Sequence, residues 1–298
     1  MQAPAVAIEG INKSFKANQP VLNGIDLNVR QGEMVGLIGA SGSGKSTLIR
    51  LIAGFETIDK GQGNIQLFGR DCQVAGRRTG AIRELRHDVG IIFQQFNLIG
   101  RLTLLLNVLV GRLGRISRLR GTLGLFPEED RIKALKALER VGIVDMAYQR
   151  ASTLSGGQQQ RAAIARALTQ EAKLILADEP IASLDPASAE RVMTILRSIN
   201  QQDKVTVIVS LHQIDHAFKH CDRIIALKDG KIIHDGNVEQ ITKEDIEHLY
   251  GVELAAEDDH EIRGAGIKKP GKKAEKRPVY GIGRDPNPQL AAASTLDA

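Results

Sequence analysis

The stretch MVGLIGASGSGKSTLI, Met34 to Ile49, decides the fold. Met34 to Ile38 is an apolar run bounded by glycine, the pattern of a strand buried on both faces. Gly39 to Gly44 is a glycine-rich turn, and Lys45 to Gly54 reads as a helix. Within it, Gly39 to Ser46 fits G-x-x-x-x-G-K-[ST] in the strand–turn–helix context that this pattern needs. Glycines let backbone N–H groups curl around phosphate oxygens without Cβ clashes. The helix that follows turns its positive end toward the anion. The chemistry assigns Lys45 to the β- and γ-phosphates and the Ser46 hydroxyl to Mg2+. Gly39, Ser41, Gly42, Gly44 and Thr47 complete this nucleotide-binding set.

Working outward, further strand runs are Val89 to Phe93, Lys173 to Ala177 and Val205 to Leu211. Helical periodicity covers Pro127 to Val141, Gly157 to Thr169 and Pro186 to Asn200. Alternating strands and helices predict a mostly parallel α/β sheet. Upstream, Val6 to Phe15 and Val21 to Gln31 alternate at period two, giving short strands joined by turns at Asn18-Gln19-Pro20 and Gln31-Gly32. Arg223 to Leu227 and Lys231 to His234, separated by Asp229-Gly230, carry a hairpin signal. At the end of one buried run, Leu174 to Ala177 leads into Asp178 and Glu179. A parallel strand delivers such acids at its carboxyl end, where sheet ligands bind. Asp178 is the candidate Mg2+ holder, directly or through water, and Glu179 the candidate general base that polarises the attacking water.

Composition narrows the class. Of 298 residues, 42% are hydrophobic and 25% charged, which excludes a mostly disordered or collagenous chain. Two cysteines, Cys72 and Cys221, form no CxxC or Cys/His cluster, which argues against a disulfide framework or a structural zinc site. MQAPAVAIEG lacks the basic and apolar regions of a signal peptide. The most apolar segment, Leu102 to Val110, contains Asn107 and falls far below the roughly 20 residues of a membrane span. The net charge is +5. From Arg263 to Arg284, eight Lys/Arg stand against one acid, Glu275, punctuated by Gly and Pro. This predicts an extended tail over 251–298. It has no interleaved aromatic except Tyr280, which argues against nucleic-acid binding.

Between the phosphate loop and the acidic pair lies Leu154-Ser-Gly-Gly-Gln-Gln-Gln-Arg161. With the other two motifs, this LSGGQ makes the chain resemble the ATP-binding subunits of ABC transporters over about residues 5 to 250. The resemblance implies a P-loop NTPase core with a mostly parallel sheet, an N-terminal antiparallel β subdomain and an inserted α-helical subdomain at about 95–170. It also implies ATP and Mg2+ as cofactors. Ser155, Gly156, Gly157 and Gln158 would form a second anion cradle at a helix start. Phe15 matches the aromatic that stacks on adenine. Gln94 matches the glutamine that touches Mg2+ and the lytic water, with Gln95 directly adjacent. Asp185, in Ser183-Leu184-Asp185, matches the loop that crosses between subunits, and His212 matches the histidine that contacts the γ-phosphate. Here Leu211-His212-Gln213 stands where many relatives have Thr-His.

The family resemblance further implies a head-to-tail homodimer with each ATP between Lys45 and Ser46 of one copy and Ser155 and Gly157 of the other. It places the chain peripherally on the cytoplasmic face of the inner membrane, with a permease contacting the region after Gln94. That region, Gln95 to about Gly124, is apolar and rich in arginine (Arg101, Arg112, Arg115, Arg118, Arg120). A periplasmic substrate-binding protein would be an indirect partner. The segment Phe93 to Leu98, the linker to Leu123-Gly-Leu-Phe126, Ala177 to Pro186 and Ser210 to Gln213 look most like the phosphonate-importer ATPases. The implied solute is a phosphonate or a reduced phosphorus oxyanion such as phosphite. A soluble ABC ATPase serving a carbon–phosphorus-cleaving complex, or an importer ATPase for another solute, fits the same motifs. The tail would serve autoregulation, contact an anionic membrane face, or have no role.

Overall fold

The computed structural model describes residues 3–241 apart from 17, 18 and 62. The basic stretch Arg263 to Arg284 and the end of the expected 5–250 domain lie outside the described residues. The chain opens with β1 (Val6–Lys16) and β2 (Gln19–Val29), then β3 (Met34–Ile38), the glycine-rich turn and α1 (Lys45–Ile52). Next come β4 (Asn64–Leu67), β5 (Arg70–Val74), the two-residue β6 (Arg77–Arg78), α2 (Ile82–Leu85) and β7 (Val89–Ile92). A helical stretch follows: α3 (Leu104–Leu109), α4 (Arg118–Leu123), α5 (Glu128–Arg140) and α6 (Gly156–Thr169). The described chain closes with β8 (Leu174–Asp178), α7 (Pro186–Asp203), β9 (Thr206–Leu211), α8 (Ile214–His220), β10 (Arg223–Lys228) and β11 (Lys231–Asn237).

Two sheets result. One is antiparallel in the order β2-β1-β4-β5-β6; the other runs β11-β10-β3-β9-β8-β7. In the second, β10, β3, β9, β8 and β7 are mutually parallel, and only β11 pairs antiparallel. The parallel strands are buried on both faces, which is why they read as continuous apolar runs. Their period of two sends alternate side chains to two different cores. Met34, Ile38, Ile175, Ala177, Val207 and Val209 join the core under α3 and α5–α8. Val35, Leu37, Leu174, Leu176 and Ile208 join the core shared with α1 and the antiparallel sheet.

Three local readings change. The turn expected at Asn18-Gln19-Pro20 is displaced, because Gln19 and Pro20 already belong to β2, with Pro20 opposite Ser14. β2 is an edge strand, where a residue without an N–H breaks no ladder. Strands β4–β6 and helix α8 carried no clear periodicity signal and emerge only with their partners. Finally, not all the arginines after Gln95 form an open face. Arg112 is buried, donating to Asp130 Oδ1 at 2.7 Å and Glu171 Oε2 at 2.8 Å. Arg115 donates to the Gln170 carbonyl at 3.1 Å and lies 3.3 Å from Asp88. Arg112 ties α5 to the end of α6, and Arg115 ties that end to the approach to β7. Asn107, the polar residue in the apolar segment, is buried too. It accepts the Ile99 N–H at 2.7 Å and donates to the Ile99 and Thr103 carbonyls, fixing the loop that precedes α3. Asp229 and Gly230, both at positive φ, make the β10–β11 turn, as the hairpin signal predicts.

No helix of the described residues is long and apolar enough to cross a membrane.

Candidate functional site

The strand order puts four loops side by side. β3, β9, β8 and β7 are parallel neighbours, so their carboxyl ends share one rim. β3 leads into Gly39, β9 into His212, β8 ends on Asp178, and β7 leads into Gln94. Motifs more than a hundred residues apart in the chain meet there because crossover connections return each strand in the same direction.

The phosphate loop is shaped by close approach. A Cβ on Gly39, whose φ is +150°, would sit 2.2 Å from the Leu227 carbonyl oxygen. One on Gly44, whose φ is +107°, would sit 2.6 Å from the Leu22 side chain. Neither position admits another residue without moving backbone or core. Ser41 and Gly42 are exposed, and Ser43 is buried with its hydroxyl unpartnered. Lys45 is buried, and its Nζ donates to the Gly39 and Ala40 carbonyls at 2.7 and 3.1 Å. Burial lowers its pKa, and the charges of Glu179 and Asp178 oppose that shift. Thr47 follows in the first turn of α1.

Ser46 and Asp178 meet directly, the hydroxyl donating to Oδ1 at 2.8 Å. The same Oδ1 accepts from the Ser210 hydroxyl at 3.0 Å. Asp178 is 7% exposed. Glu179 follows at φ +49°, and its N–H donates to Ser210 Oγ at 2.8 Å. Glu179 Oε1 lies 2.5 Å from His212 Nε2. Gln94 and Gln95 line a cleft of about 510 Å3 together with Ser46, Arg50, Glu56 and Asp178. A hydroxyl, a buried carboxylate and an amide oxygen are the hard donors that Mg2+ takes, so the residues fit that ion.

Two sequence-predicted groups stand apart from this cleft. Phe15 lies near the end of β1, 57% exposed, with Lys13 Nζ 4.8 Å from its ring centroid. Ser155 caps α6 in a reciprocal box with Gln158, accepting from the Gln158 N–H while Gln158 Oε1 accepts from the Ser155 N–H at 2.8 Å. Gly156 and Gly157 open that helix. A Cβ on Gly157 would lie 2.7 Å from Ser188 Oγ. Asp185 caps α7, accepting the Ser188 N–H at 3.0 Å; the Ser188 hydroxyl and then this N–H hold its carboxyl below the ordinary range. The signature turn is thus packed on the start of α7, and neither Ser155 nor Gly157 lines the cleft with Ser46 and Asp178.

Sequence reasoning missed Ser210. Its signal was a hydroxyl near the carboxyl end of the apolar run Val205 to Leu211, in register with Asp178 on the next strand.

This fold and rim define a nucleotide-binding ATPase cassette. Residues 22–182 match the ABC transporter family model, and the chain belongs to the ABC transporter ATP-binding family. It is 54% identical over 253 residues to "Phosphonates import ATP-binding protein PhnC 2" of Pseudomonas syringae pv. syringae, covering 85% of this chain and 91% of that one. A PhnC of Caulobacter vibrioides is 52% identical over 251 residues, covering 84% and 95%. Among solved structures, the dimeric ATP-binding cassette MJ0796, bound to ADP and Pi, aligns with a TM-score of 0.66 and 32% identity. That alignment covers 79% of this chain and all of that one. The Clostridium perfringens cbiO1, part of the cbiONQ transporter complex, gives a TM-score of 0.71 at 27% identity, over 88% of this chain and all of that one.

Proposed function

We propose that this chain is the ATP-hydrolysing subunit that powers a membrane importer for phosphonates or a related reduced phosphorus oxyanion. The observation that carries the ATPase reading is the shared rim: Lys45, Ser46, Asp178, Glu179, His212 and Gln94 all stand at the carboxyl ends of adjacent parallel strands. The solute class follows from the PhnC relatives, since the transported molecule never touches this subunit.

In this reading, residues 5–250 form the nucleotide-binding domain, about 95–170 its helical subdomain, and 251–298 a basic tail. Gly39 to Thr47 cradle the triphosphate, with Lys45 leaving the loop carbonyls for the β- and γ-phosphate oxygens. Phe15, already exposed, offers its ring to adenine. Ser46, Asp178 and Gln94 would hold Mg2+, which would neutralise charge on the phosphates. Glu179 accepts the proton of the attacking water, and His212, 2.5 Å from it, fixes the carboxylate and faces the γ-phosphate. Ser155 and Gly157, which lie off the cleft, would complete the site of a second copy, as the family resemblance implies, so that each ATP joins two chains. Loss of the γ-phosphate contacts then releases the pair. Asp185 sits at that junction.

For the permease, the reading assigns the cleft of about 370 Å3 lined by Phe55, Phe93, Val110, Arg86 and Arg166. Exposed Leu119, Leu123 and Leu125 lie on the nearby helical stretch. The chain would therefore sit peripherally on the cytoplasmic face of the inner membrane, with the periplasmic binding protein an indirect partner.

Deleting the protein should abolish growth on a phosphonate or phosphite as sole phosphorus source, restored by the wild-type chain and not by Glu179→Gln. Unchanged growth on both would overturn the solute assignment. Co-purification with a soluble enzyme complex instead of a multi-span membrane protein would overturn the transporter role.

A further inference from the structure

Where α7 and α8 pack together, three groups gather that the nucleotide site does not use. His216 and His220 are four residues apart on α8, so both rings leave the same helix face. Their rings stack, with centroids 6.0 Å apart. Glu190 of α7 faces both: its Oε2 is 3.3 Å from His220 Nε2 and 3.8 Å from His216 Nδ1. One donor atom from each of the three lies within 4.8 Å of the others, the one such gathering of His, Cys, Asp and Glu among the described residues.

We propose that Glu190, His216 and His220 bind a transition-metal dication of the zinc class, with three protein ligands and one open position. The donor set selects this class. Two imidazoles and one carboxylate suit Zn2+ or Co2+, whereas Mg2+ prefers oxygen donors alone. The spacing is close to what is needed. Ligands at 2.0–2.1 Å around a tetrahedral ion stand about 3.4 Å apart. The two nitrogen–oxygen separations already bracket that distance, and Glu190 is partly exposed. His220 is buried, so one ligand is held in place by packing. Burial lowers the pKa of His216, with Glu190 opposing and His220 adding to the shift, which favours the neutral imidazole that metals bind. Charged neighbours leave the position usable: Lys219 Nζ takes the other Glu190 oxygen, Oε1, at 2.7 Å, and Asp215 adds a negative charge on the same helix.

The position gives the site a consequence. α8 begins two residues after His212, and α7 is capped by Asp185. A bound ion would pin together the helix that follows His212 and the helix that Asp185 caps, next to the residues assigned above to the γ-phosphate and the subunit junction. Without metal binding, the same contacts are an ion-pair knot joining the helices, and the two alternatives separate cleanly by experiment.

The full-length, tag-free chain is titrated with Co2+ in excess Mg2+, which satisfies oxygen-only sites. One equivalent of Co2+ should bind, with the visible band of a four- or five-coordinate nitrogen and oxygen site, and Zn2+ should displace it. Zn2+ should raise the melting temperature by on the order of 5 °C. His216→Ala, at a half-buried position, should keep the fold, lose the band and weaken binding by at least about tenfold. Glu190→Gln should weaken it in the same direction, which keeps the test open if His220→Ala fails to fold. No saturable band in the wild type, or a band of equal strength in both His216→Ala and Glu190→Gln, would overturn the proposal.

Discussion

The Ser210 hydroxyl donates to Asp178 Oδ1 at 3.0 Å while accepting the Glu179 N–H at 2.8 Å. One side chain on the neighbouring strand therefore orients both acids of the rim. Ser210→Ala leaves the Glu179 N–H without this acceptor and removes a donor from a buried carboxylate. Stability should fall by about 1–3 kcal/mol, measured by urea denaturation. ATP turnover should fall by more than nucleotide affinity, because the phosphate loop is untouched. Equal losses in turnover and affinity would show that Ser210 does not act through the acids.

Lys45 is buried, and its ammonium is held in the phosphate loop by two carbonyls. Lys45→Ala should weaken ATP binding by on the order of a hundredfold, as removal of a charged hydrogen-bonding partner does. Calorimetric titration with ATP and Mg2+ checks this. Unchanged affinity would remove the phosphate-loop assignment.

Glu179→Gln keeps the shape of the side chain and removes its capacity to take a proton. Turnover should drop by about 10²–10⁴-fold. ATP should then hold two copies together, visible as an ATP-dependent dimer on size exclusion. A variant that still hydrolyses at the wild-type rate would exclude Glu179 as the base.

Glu171 ties Arg112 and Lys133 together outside the nucleotide site. The hydrogen bonds from Lys133 and then Arg112 pull its carboxyl down from 4.5 to about 2. A carboxyl lowered on folding stabilises the protein above its unfolded pKa and loses that contribution as pH falls through the folded one. The melting-temperature gap between wild type and Glu171→Gln should thus be constant above about pH 5 and close between about pH 4.5 and 2. Glu171 is 46% exposed, so the gap should be small. A gap that widens on acidification would contradict the sign.

Both thiols are pushed up by burial, Cys72 to about 11 and Cys221 to about 12. At pH 8 neither should react with Ellman's reagent in the native chain, and two equivalents should react in urea. Prompt native labelling would place a thiol in a more open setting.

The parallel half of the fold was legible because strands buried on both faces leave continuous apolar runs, and because each delivers a chemically distinctive residue at its end. Gly39 to Ser46, Asp178, Glu179, Gln94 and His212 stand together on that account. The antiparallel strands Asn64–Leu67 and Arg70–Val74 were silent. Each is too short to show a period, and their identity comes from pairing, the first with β1 and the second with the first. Ser210 was hidden for another reason: its importance lies in a register across strands, which one strand's own residues do not express. Arg112 misled in the opposite direction. Its charge marks it as a surface residue until Asp130 and Glu171, distant in sequence, close around it.

Glu179 holds a left-handed backbone, φ +49°, where glycine alone is at ease. A side chain there costs about 1–2 kcal/mol. Glycine would relieve that penalty and be chemically inert. Redesign guided by thermostability alone would therefore erase the side chain proposed as the general base, and on that proposal a hardier molecule would come out idle.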